Sequence, residues 1–210
     1  MIEKKYKELC NKPSDINEHL PTLKKYAEEC SHITEMGVRW VVSTWAFLAG
    51  KPKKLISYDI NNHPNIEEVK KAADNFEFIR ADVLKTEIEE TDLLFIDTWH
   101  CDHQLRSELK LHADKVRRYV ICHDTTTFGL RGEDGGEGLK KALNEFLEED
   151  PNWKVKEVFE NNNGLIVLER ISSDKPKVKI DRTPKEFKFE FGKKVFNKPK
   201  KKCRIINLFR

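Results

Sequence analysis

The sequence predicts an α/β fold: a mostly parallel sheet of seven strands, helices on both faces, and an antiparallel hairpin at the C-terminal end. Three observations lead to this prediction. Short apolar runs typical of strands alternate with amphipathic helical patterns, as expected of βαβ units. Acidic residues stand at the ends of several of these runs. An Asn-Gly pair separates the last two runs and predicts a tight turn between antiparallel strands.

The unit that organises the chain is predicted between residues 31 and 61. A strand-like run at residues 32–36 and a second at residues 54–60 flank a short helical segment, which makes one βαβ unit. Ser43 immediately precedes that segment and is a preferred N-cap residue, so we expect it to cap the helix. Because ligands of open α/β sheets bind beyond the carboxyl ends of the strands, the first turn of this unit is a candidate ligand site.

Three residues at these strand ends suit a nucleoside ligand. Gly37 allows a ligand to approach the backbone closely. Asp59 follows it by 22 residues and can accept hydrogen bonds from ribose hydroxyls, while Glu35 brings negative charge to the turn. Gly37 would be the first glycine of a G-x-G-x-x-G motif, but the other glycines are missing, which disfavours a dinucleotide. A nucleoside with a positive charge, such as S-adenosylmethionine, fits better.

The other elements follow from the same periodicities. Further strands are predicted at residues 76–80, 93–97, 119–124, 153–160 and 165–170. Helices are predicted in two pieces within residues 2–28, after His63-Pro64, over the face that runs from Leu105 to Val116, and at residues 139–147. Pro21 is expected to break or restart the second N-terminal helix.

Composition limits the class of protein. The chain has 210 residues, of which 38% are hydrophobic and 36% charged, which suits one α/β domain with extensions. No run approaches the roughly 18 apolar residues of a membrane span, and the N-terminus lacks the apolar region of a signal peptide. Five scattered cysteines without a C-x-x-C pair suit reduced thiols, so we expect a cytoplasmic protein.

Charge divides the chain into unlike parts. Residues 171–210 hold 14 basic and 4 acidic residues, a net charge of +10, and the remainder carries −7. We expect an N-terminal helical segment at residues 1–30, a cofactor-binding domain at 31–170 and a basic extension at 171–210. The extension, with a candidate strand at residues 186–191, is interpreted as a solvated segment that wraps the domain. Binding to nucleic acid, a membrane surface or a partner protein is the alternative.

Three motifs carry a resemblance to a known family. They are EMGVRWVVSTWA at residues 35–46, FIDTWH at 95–100 and CHDT at 122–125. Across residues 33–170, the sequence resembles the class I S-adenosylmethionine-dependent methyltransferases. More narrowly, it is similar to the metal-dependent sugar O-methyltransferases of macrolide tailoring and the related cephalosporin-hydroxylase-like group. The resemblance implies a Rossmann-like seven-stranded methyltransferase sheet, and methylation of a sugar or glycan hydroxyl by S-adenosylmethionine.

The resemblance also implies which residues contact the cofactor. They lie at the ends of the first four strands and on the first helix: Glu35, Met36, Gly37, Ser43, Asp59, Asp82, Val83 and Asp97. Within this set, Asp82 would accept a hydrogen bond from the adenine amino group, and the backbone beside Val83 would contact the ring. The alternative for Asp82 is a helix N-cap.

The same family implies a site for a divalent cation, Mg²⁺ or Mn²⁺, after the fourth and fifth strands. Asp97, His123 and Asp124 stand at the matching positions, although His123 replaces a glutamate of the family and favours manganese over magnesium. Asp97 is thus implied in both cofactor binding and catalysis. His100 matches the general base that removes the hydroxyl proton, with His103 as the alternative. His123-Asp124 could instead cap the loop that follows.

Other functions compete with this one. A nucleic-acid methyltransferase would use the basic extension, but N-P-P-Y and D-P-P-Y motifs are absent, so nucleic acid is not the expected partner. A non-catalytic cofactor-binding module is disfavoured by the presence of Asp97, His100 and Asp124, and a dehydrogenase by the missing glycines. The expected partner is a sugar or glycan acceptor, and the family implies association or fusion with glycosyltransferases. The oligomeric state stays open.

Overall fold

The computed structural model describes residues 1–172, so most of the basic extension, with its candidate strand, lies outside the described residues. Seven strands form one sheet in the spatial order β3-β2-β1-β4-β5-β7-β6. These strands are β1 (His32–Met36), β2 (Lys54–Asp59), β3 (Phe76–Arg80), β4 (Thr91–Ile96), β5 (Val116–His123), β6 (Trp153–Phe159) and β7 (Leu165–Arg170).

The sheet has the predicted mixed character. Strands β1 to β5 pair in parallel, whereas β7 runs antiparallel to both β5 and β6. The predicted α/β fold with a C-terminal antiparallel hairpin is therefore confirmed. The strand order reverses between β1 and β4, and the crevice beyond the carboxyl ends at such a reversal is where open α/β sheets bind their ligands.

Two strands begin earlier than predicted. Strand β4 starts at Thr91 and strand β5 at Val116. In β5, Arg117 and Arg118 interrupt the apolar run of the sequence without interrupting the strand. Their carboxyl ends lie side by side, since Ile96 pairs with Cys122. The residues that follow the two strands are therefore neighbours in space.

In the described part of the chain, six α-helices cover the two faces of the sheet. They are α1 (Ile2–Asn11), α2 (Leu20–Ala27), α3 (Val42–Ala49), α4 (Ile66–Ala72), α5 (Asp102–His112) and α6 (Leu139–Glu149). Helices α1 to α4 bury their apolar side chains in one hydrophobic cluster, and α5 and α6 bury theirs in a second. Within residues 1–172, no helix combines the length and apolar character needed to cross a membrane.

One detail of the predicted helices is wrong. Val116 is not on the face of α5, which ends at His112; it is the first residue of β5. Pro21 does restart the helix, as one of its two predicted roles: α2 begins at Leu20, and Pro21 lies in its first turn, where its missing N–H costs nothing because no partner is available there.

Ser43 does not cap helix α3, which is a correction to the predicted role. The helix begins one residue earlier, at Val42, after Val41 in a left-handed conformation with φ +60°. Ser43 is buried inside the first turn, and its hydroxyl donates a hydrogen bond to Glu35 Oε1 at 2.6 Å. The side chain of Ser43, which the local sequence assigns to the helix end, therefore bonds to Glu35 on β1 instead.

Candidate active site

A cleft of about 480 Å³ opens beyond the carboxyl ends of β1, β2 and β4. It is lined by Gly37, Val38, Arg39, Tyr58, Asp59, Ile60, Asn61, His63, Ala81, Asp82, Val83, Asp97, Thr98, Trp99 and Gln104. Five of the eight residues implied in cofactor binding belong to this lining. The other three, Glu35, Met36 and Ser43, are buried beneath it.

Gly37 is required by the packing of two strands. Its φ is +84°, and a Cβ at this position would lie 2.0 Å from the carbonyl oxygen of Asp97. The Asp97 N–H in turn donates to Met36 O at 2.9 Å. The glycine thus lets the turn after β1 touch the end of β4, in addition to opening the backbone to a ligand.

The turn between β1 and α3 has an alternating left-handed backbone. Arg39 and Val41 have φ values of +45° and +60° and follow Gly37 at intervals of two residues. A β-branched residue in this region is strained, and here Val41 is also buried. Three of the five residues from Gly37 to Val41 thus have a positive φ although only one of them is glycine, which explains why a glycine motif is a poor guide to this turn.

Asp59 anchors this turn to the end of β2. Its Oδ2 accepts hydrogen bonds from the N–H groups of Val38 at 2.9 Å and Arg39 at 3.3 Å, and its Oδ1 accepts one from Asn61 at 2.8 Å. Although burial opposes ionisation, these bonds and one with His63 hold the pKa of Asp59 below its usual value. Asp59 is therefore an ionised acceptor at the cleft, as expected for a group that binds ribose hydroxyls.

Glu35 differs from its expected role, because its carboxyl group is enclosed. It accepts hydrogen bonds from the hydroxyls of Ser43, Thr44 and Ser57 at 2.6, 2.8 and 2.5 Å. Burial raises the pKa of Glu35 to about 7, and the three hydrogen bonds oppose that rise only in part. Its charge is thus kept out of the cleft, and the residue joins β1, β2 and α3 from beneath.

Asp82 and Val83 lie where the sequence places them, at the end of β3 and on the wall of the cleft. No helix follows Asp82, so it is not an N-cap. Its Oδ1 accepts the N–H of Leu84 at 3.0 Å, and its Oδ2 lies 2.9 Å from Lys85 Nζ. The carbonyl oxygen of Val83 pairs with His112 Nε2 at 2.8 Å, which fixes this wall against α5.

Beside the cleft, two acids and two histidines converge at the ends of β4 and β5, and we call them the acid–imidazole cluster. His100 Nε2 lies 2.8 Å from Asp124 Oδ2 and 3.4 Å from Asp97 Oδ1. His123 Nδ1 lies 3.4 Å from Asp124 Oδ2 and 3.3 Å from Asp97 Oδ1. The structure therefore brings together all four residues that the sequence predicts for this part of the site.

The opposite nitrogen of each imidazole also faces an oxygen. His100 Nδ1 lies 3.1 Å from Glu133 Oε2, and His123 Nε2 lies 3.1 Å from the carbonyl oxygen of Asn162. Each ring therefore has acceptors on both sides. Without a cation, a ring can donate to both sides only if both of its nitrogens carry a proton. With a cation, one nitrogen of each ring could instead bind the cation through its lone pair.

The short distances within the cluster shift the pKa values of all four side chains. Burial alone would lower the pKa of His100 and His123, but hydrogen bonds and charge from Asp124 and Asp97 outweigh burial and raise both to about 10. The same contacts hold the pKa values of the two carboxyl groups below their usual range, against the effect of burial. In the absence of another cation, two imidazolium ions compensate two carboxylates.

A divalent cation has ligands available in this cluster. The candidate ligand atoms of Asp97, His100 and Asp124 all lie within 4.8 Å of one another. His100, which the sequence assigns as a base, is thus as close to the acids as His123, which it assigns as a ligand. Asp124 has a left-handed backbone with φ +60°, so its carboxylate is held in the cluster by an uncommon conformation.

His103, the alternative base, lies in a separate group. Its Nε2 is 3.4 Å from Cys101 Sγ and its Nδ1 is 3.7 Å from Asp134 Oδ2. Cys101 is fully buried, and burial raises the pKa of its thiol to about 11. These contacts place His103 between the buried Cys101 and Asp134 of the glycine-rich loop.

Sequence reasoning missed the residues that hold the cluster from behind. The Asn162 carbonyl receives His19 Nε2 at 3.2 Å as well as His123, and the two imidazole rings meet edge to face at 5.6 Å. Glu133 supports His100 from the glycine-rich loop. The sequence signals only a hairpin turn at Asn162 and a loop at Glu133, so their long-range partners could not be read from it.

Comparison with known proteins gives one kind of match. No protein-family model matches the sequence, and no curated protein matches it. Methyltransferase PaMTH1 of Podospora anserina, solved with S-adenosylhomocysteine, is 18% identical, with a TM-score of 0.57 over 80% of this chain and 87% of its own. An O-methyltransferase from Bacillus cereus, also with S-adenosylhomocysteine, is 15% identical, with a TM-score of 0.56 over 73% of this chain and 80% of its own.

A third match covers nearly the whole length of the matched protein. The N-methyltransferase NodS from Bradyrhizobium japonicum WM9, in complex with S-adenosylhomocysteine, is 12% identical, with a TM-score of 0.59 over 81% of this chain and 99% of its own. Identities this low show a shared fold and leave the reaction to be inferred from the site. The chain therefore has the Rossmann-like fold of the S-adenosylmethionine-dependent methyltransferases.

Proposed function

We propose that this protein transfers the methyl group of S-adenosylmethionine to a hydroxyl of a sugar or glycan, with the help of a divalent cation. One observation carries the proposal: the cleft lined by Asp59, Asp82 and Val83 opens directly beside the acid–imidazole cluster. Asp97 belongs to both, because it lines the cleft and contacts His100 and His123. A cofactor in the cleft and an acceptor at the cluster would meet at this residue.

The cleft suits the cofactor at each of its parts. Asp59 offers an ionised carboxylate for ribose hydroxyls, and Asp82 with Val83 forms the wall proposed for adenine. Ile60 and Trp99, which are 62% and 40% exposed, add apolar surfaces for a flat purine ring. Glu35, Met36 and Ser43 act from beneath, by shaping the turn that the methionine part would contact.

The donor set of the cluster fits a divalent cation. Each imidazole directs one nitrogen at the carboxylates while the other faces Glu133 or the Asn162 carbonyl, which is how metal-binding histidines are usually oriented. Asp97, Asp124 and His123 would hold the cation. Mixed oxygen and nitrogen ligands suit manganese at least as well as magnesium. When bound, the cation would orient an acceptor hydroxyl and lower its pKa.

Exposure separates the roles of the two histidines. The side chain of His100 is 19% exposed and that of His123 is 1% exposed, so only His100 can touch an acceptor. His100 can lose its second proton when a bound cation compensates the charges of Asp97 and Asp124 in its place. Neutral His100 Nε2 would then take the proton of the acceptor hydroxyl, the hydroxyl oxygen would bond to the methyl carbon, and the carbon–sulfur bond of the cofactor would break. Asp124, 2.8 Å from Nε2, would stabilise the imidazolium that results.

Methyl transfer to nitrogen is the second candidate, because the structural neighbours include N-methyltransferases. The acid–imidazole cluster favours oxygen, since an amine needs no cation to become a nucleophile. The sugar acceptor, and any association or fusion with glycosyltransferases, rests on the sequence resemblance.

Calorimetry with S-adenosylhomocysteine tests the cofactor. The protein should bind it and should not bind NAD, and Asp59→Ala should weaken binding by roughly 1.5–3 kcal/mol, the range for hydrogen bonds to a charged group. Asp74→Ala, which removes an exposed carboxylate just before β3, is the matched control and should leave the affinity unchanged. An Asp59→Ala variant that binds as tightly as the parent would contradict the assignment of the cleft.

A screen of sugar acceptors with methyl-labelled S-adenosylmethionine tests the reaction. Label should appear on a hydroxyl group, stop in the presence of a strong chelator and return with manganese or magnesium. Full activity in excess chelator would show that the acid–imidazole cluster works without a cation. Label found only on amines would favour the second candidate.

A further inference from the structure

Glu108 is a buried carboxyl group that the proposed reaction does not use. It lies on α5, on the same buried face as Leu105 and Leu109, and is 0% exposed. Its Oε1 accepts two hydrogen bonds, from Thr98 Oγ1 at 2.7 Å and from Gln104 Nε2 at 2.7 Å. Both donors line the cleft, so this carboxyl group acts on the cleft through two intermediary side chains.

Both hydrogen bonds fall on Oε1, and the other oxygen of Glu108 is in a different situation. Glu108 Oε2 is buried without a hydrogen-bond partner within the described chain, and the residue borders a cavity of about 10 Å³, room for about one water molecule. Burial raises the pKa of Glu108 to about 7, which the bonds from Thr98 and Gln104 oppose. Whether or not Oε2 carries a proton, Oε1 remains an acceptor.

An acceptor at this position fixes the orientation of the Gln104 amide. Only the NH₂ group of a glutamine can donate to Glu108 Oε1, so the amide nitrogen turns inward. The carbonyl oxygen of Gln104 is then available to accept from a ligand, whereas one of the two N–H donors of the amide is already used by Glu108. Asp82 lines the same cleft and also carries acceptors, so the lining of the cleft offers acceptors from two side chains to a bound base.

We infer that Glu108 is a positioning residue that holds the Gln104 amide so that the cleft selects a 6-aminopurine over a 6-oxopurine. This inference rests on the proposed function, since it concerns the base of the same cofactor. Adenine presents an amino donor at its 6-position, which Gln104 and Asp82 can accept. A purine with a 6-oxo group presents an acceptor there, and it would face acceptors without a proton between them.

Calorimetry with two ligands measures this selection. The parent protein should bind S-adenosylhomocysteine about 10- to 100-fold more tightly than S-inosylhomocysteine, the ratio expected when a buried polar group loses its partner. Glu108→Gln keeps the shape but adds an NH₂ group, so Gln104 can turn its amide either way. The ratio of the two affinities should fall about fivefold or more in this variant.

A double-mutant cycle shows whether Glu108 acts through Gln104. Gln104→Leu should lower the ratio by a similar factor, because it removes the acceptor itself. Adding Glu108→Gln to Gln104→Leu should then change the ratio no further, because a positioning residue has no effect once its target is gone. A purely structural role of Glu108 would instead lower both affinities together and leave their ratio unchanged.

Glu35→Gln is the matched control. Glu35 is also a fully buried carboxyl group with a pKa of about 7, but it contacts Ser43, Thr44 and Ser57 and not Gln104. Its substitution should leave the ratio at the parent value.

Two outcomes overturn the inference: equal affinity of the parent protein for both ligands, or an unchanged ratio in Glu108→Gln. If Glu108→Gln does not fold, an unchanged ratio in Gln104→Leu overturns it. A parent protein that binds neither ligand contradicts the proposed function instead.

Discussion

The two histidines of the acid–imidazole cluster face the same carboxylates from different depths. His100→Ala should lower methyl transfer by roughly 10²–10⁴, the usual share of a general base. Binding of S-adenosylhomocysteine should change little because His100 does not line the cleft. Binding of Mn²⁺, followed by its electron paramagnetic resonance signal, should survive if Asp97, His123 and Asp124 hold the cation.

His103→Ala is the control for this prediction. His103 contacts Cys101 and Asp134, so its loss should affect turnover far less than the loss of His100. Full activity of the His100→Ala variant would mean that another group acts as the base. Loss of Mn²⁺ affinity in that variant would make His100 a ligand.

Asp124 combines a functional side chain with a strained backbone. A non-glycine residue in the left-handed region costs about 1–2 kcal/mol, and Asp124 has φ +60°. Asp124→Ala and Asp124→Gly both remove the carboxylate and should both abolish metal-dependent activity. Asp124→Gly should nevertheless be the more stable of the two by about 1 kcal/mol, because glycine adopts this conformation freely. Urea unfolding of the two variants measures the difference, and equal stabilities would mean that the backbone relaxes.

At the scale of elements, Glu35 links β1, β2 and α3 through three hydroxyl groups and should make stability depend on pH. Its pKa is raised from an ordinary 4.5 to about 7 in the folded protein, with burial as the main cause. Between these values the folded state holds a proton that the unfolded state has lost, so the free energy of unfolding falls as pH rises from about 5 to 7. Above that range the penalty stays constant.

Glu35→Gln removes this titration. Relative to the parent protein, the variant should gain stability on the order of 2 kcal/mol between pH 5 and pH 8. Urea unfolding at the two pH values provides the comparison. A difference between variant and parent that is the same at both pH values would show that Glu35 does not titrate in this range.

Most strands could be predicted because periodicity and turn residues are local. Strand β1, strand β3 and strand β7 have the predicted bounds, and the Asn-Gly turn does join β6 to β7. Errors arose where a distant contact overrides the local pattern. Ser43 has the chemistry of a cap but bonds to Glu35, eight residues earlier on β1.

The candidate site was predictable to the extent that strand ends determine it. Parallel strands bring their carboxyl ends to one edge, so residues after β4 and β5 had to meet. The partners behind them come from the hairpin turn, the N-terminal segment and α5. Among these partners, Glu108 has the clearest signal in the sequence, since it is an acidic residue on the apolar face of a helix beside Leu105 and Leu109. The orientation of the Gln104 amide has no signal in the sequence.

At the scale of the whole molecule, the N-terminal segment is tied to the rear of the site. The Asn162 side chain donates to Ser14 O at 2.8 Å and accepts from the Glu18 N–H at 3.0 Å, while its carbonyl holds His19 and His123. The hairpin turn thus connects the first helices of the chain to the end of β5. A folded sheet is therefore needed before the acid–imidazole cluster can form.

Residues 1–172 contain the two hydrophobic clusters that cover the sheet, and we predict that a chain ending at Ser172 folds by itself. We expect a cooperative thermal transition and an affinity for S-adenosylhomocysteine equal to that of the full chain. The shortened chain loses a net charge of +10 and keeps −7. Any binding of nucleic acid by the full chain at low salt should therefore disappear.

The two measurements separate the roles open to the extension. Loss of nucleic-acid binding with unchanged cofactor affinity would make residues 173–210 an electrostatic docking segment. Unchanged behaviour in both measurements would support a solvated extension. An insoluble or non-cooperative shortened chain would contradict the prediction, and it would mean that apolar residues such as Phe187, Phe189 and Phe191 contribute to the core, since alternate residues of a strand share one face.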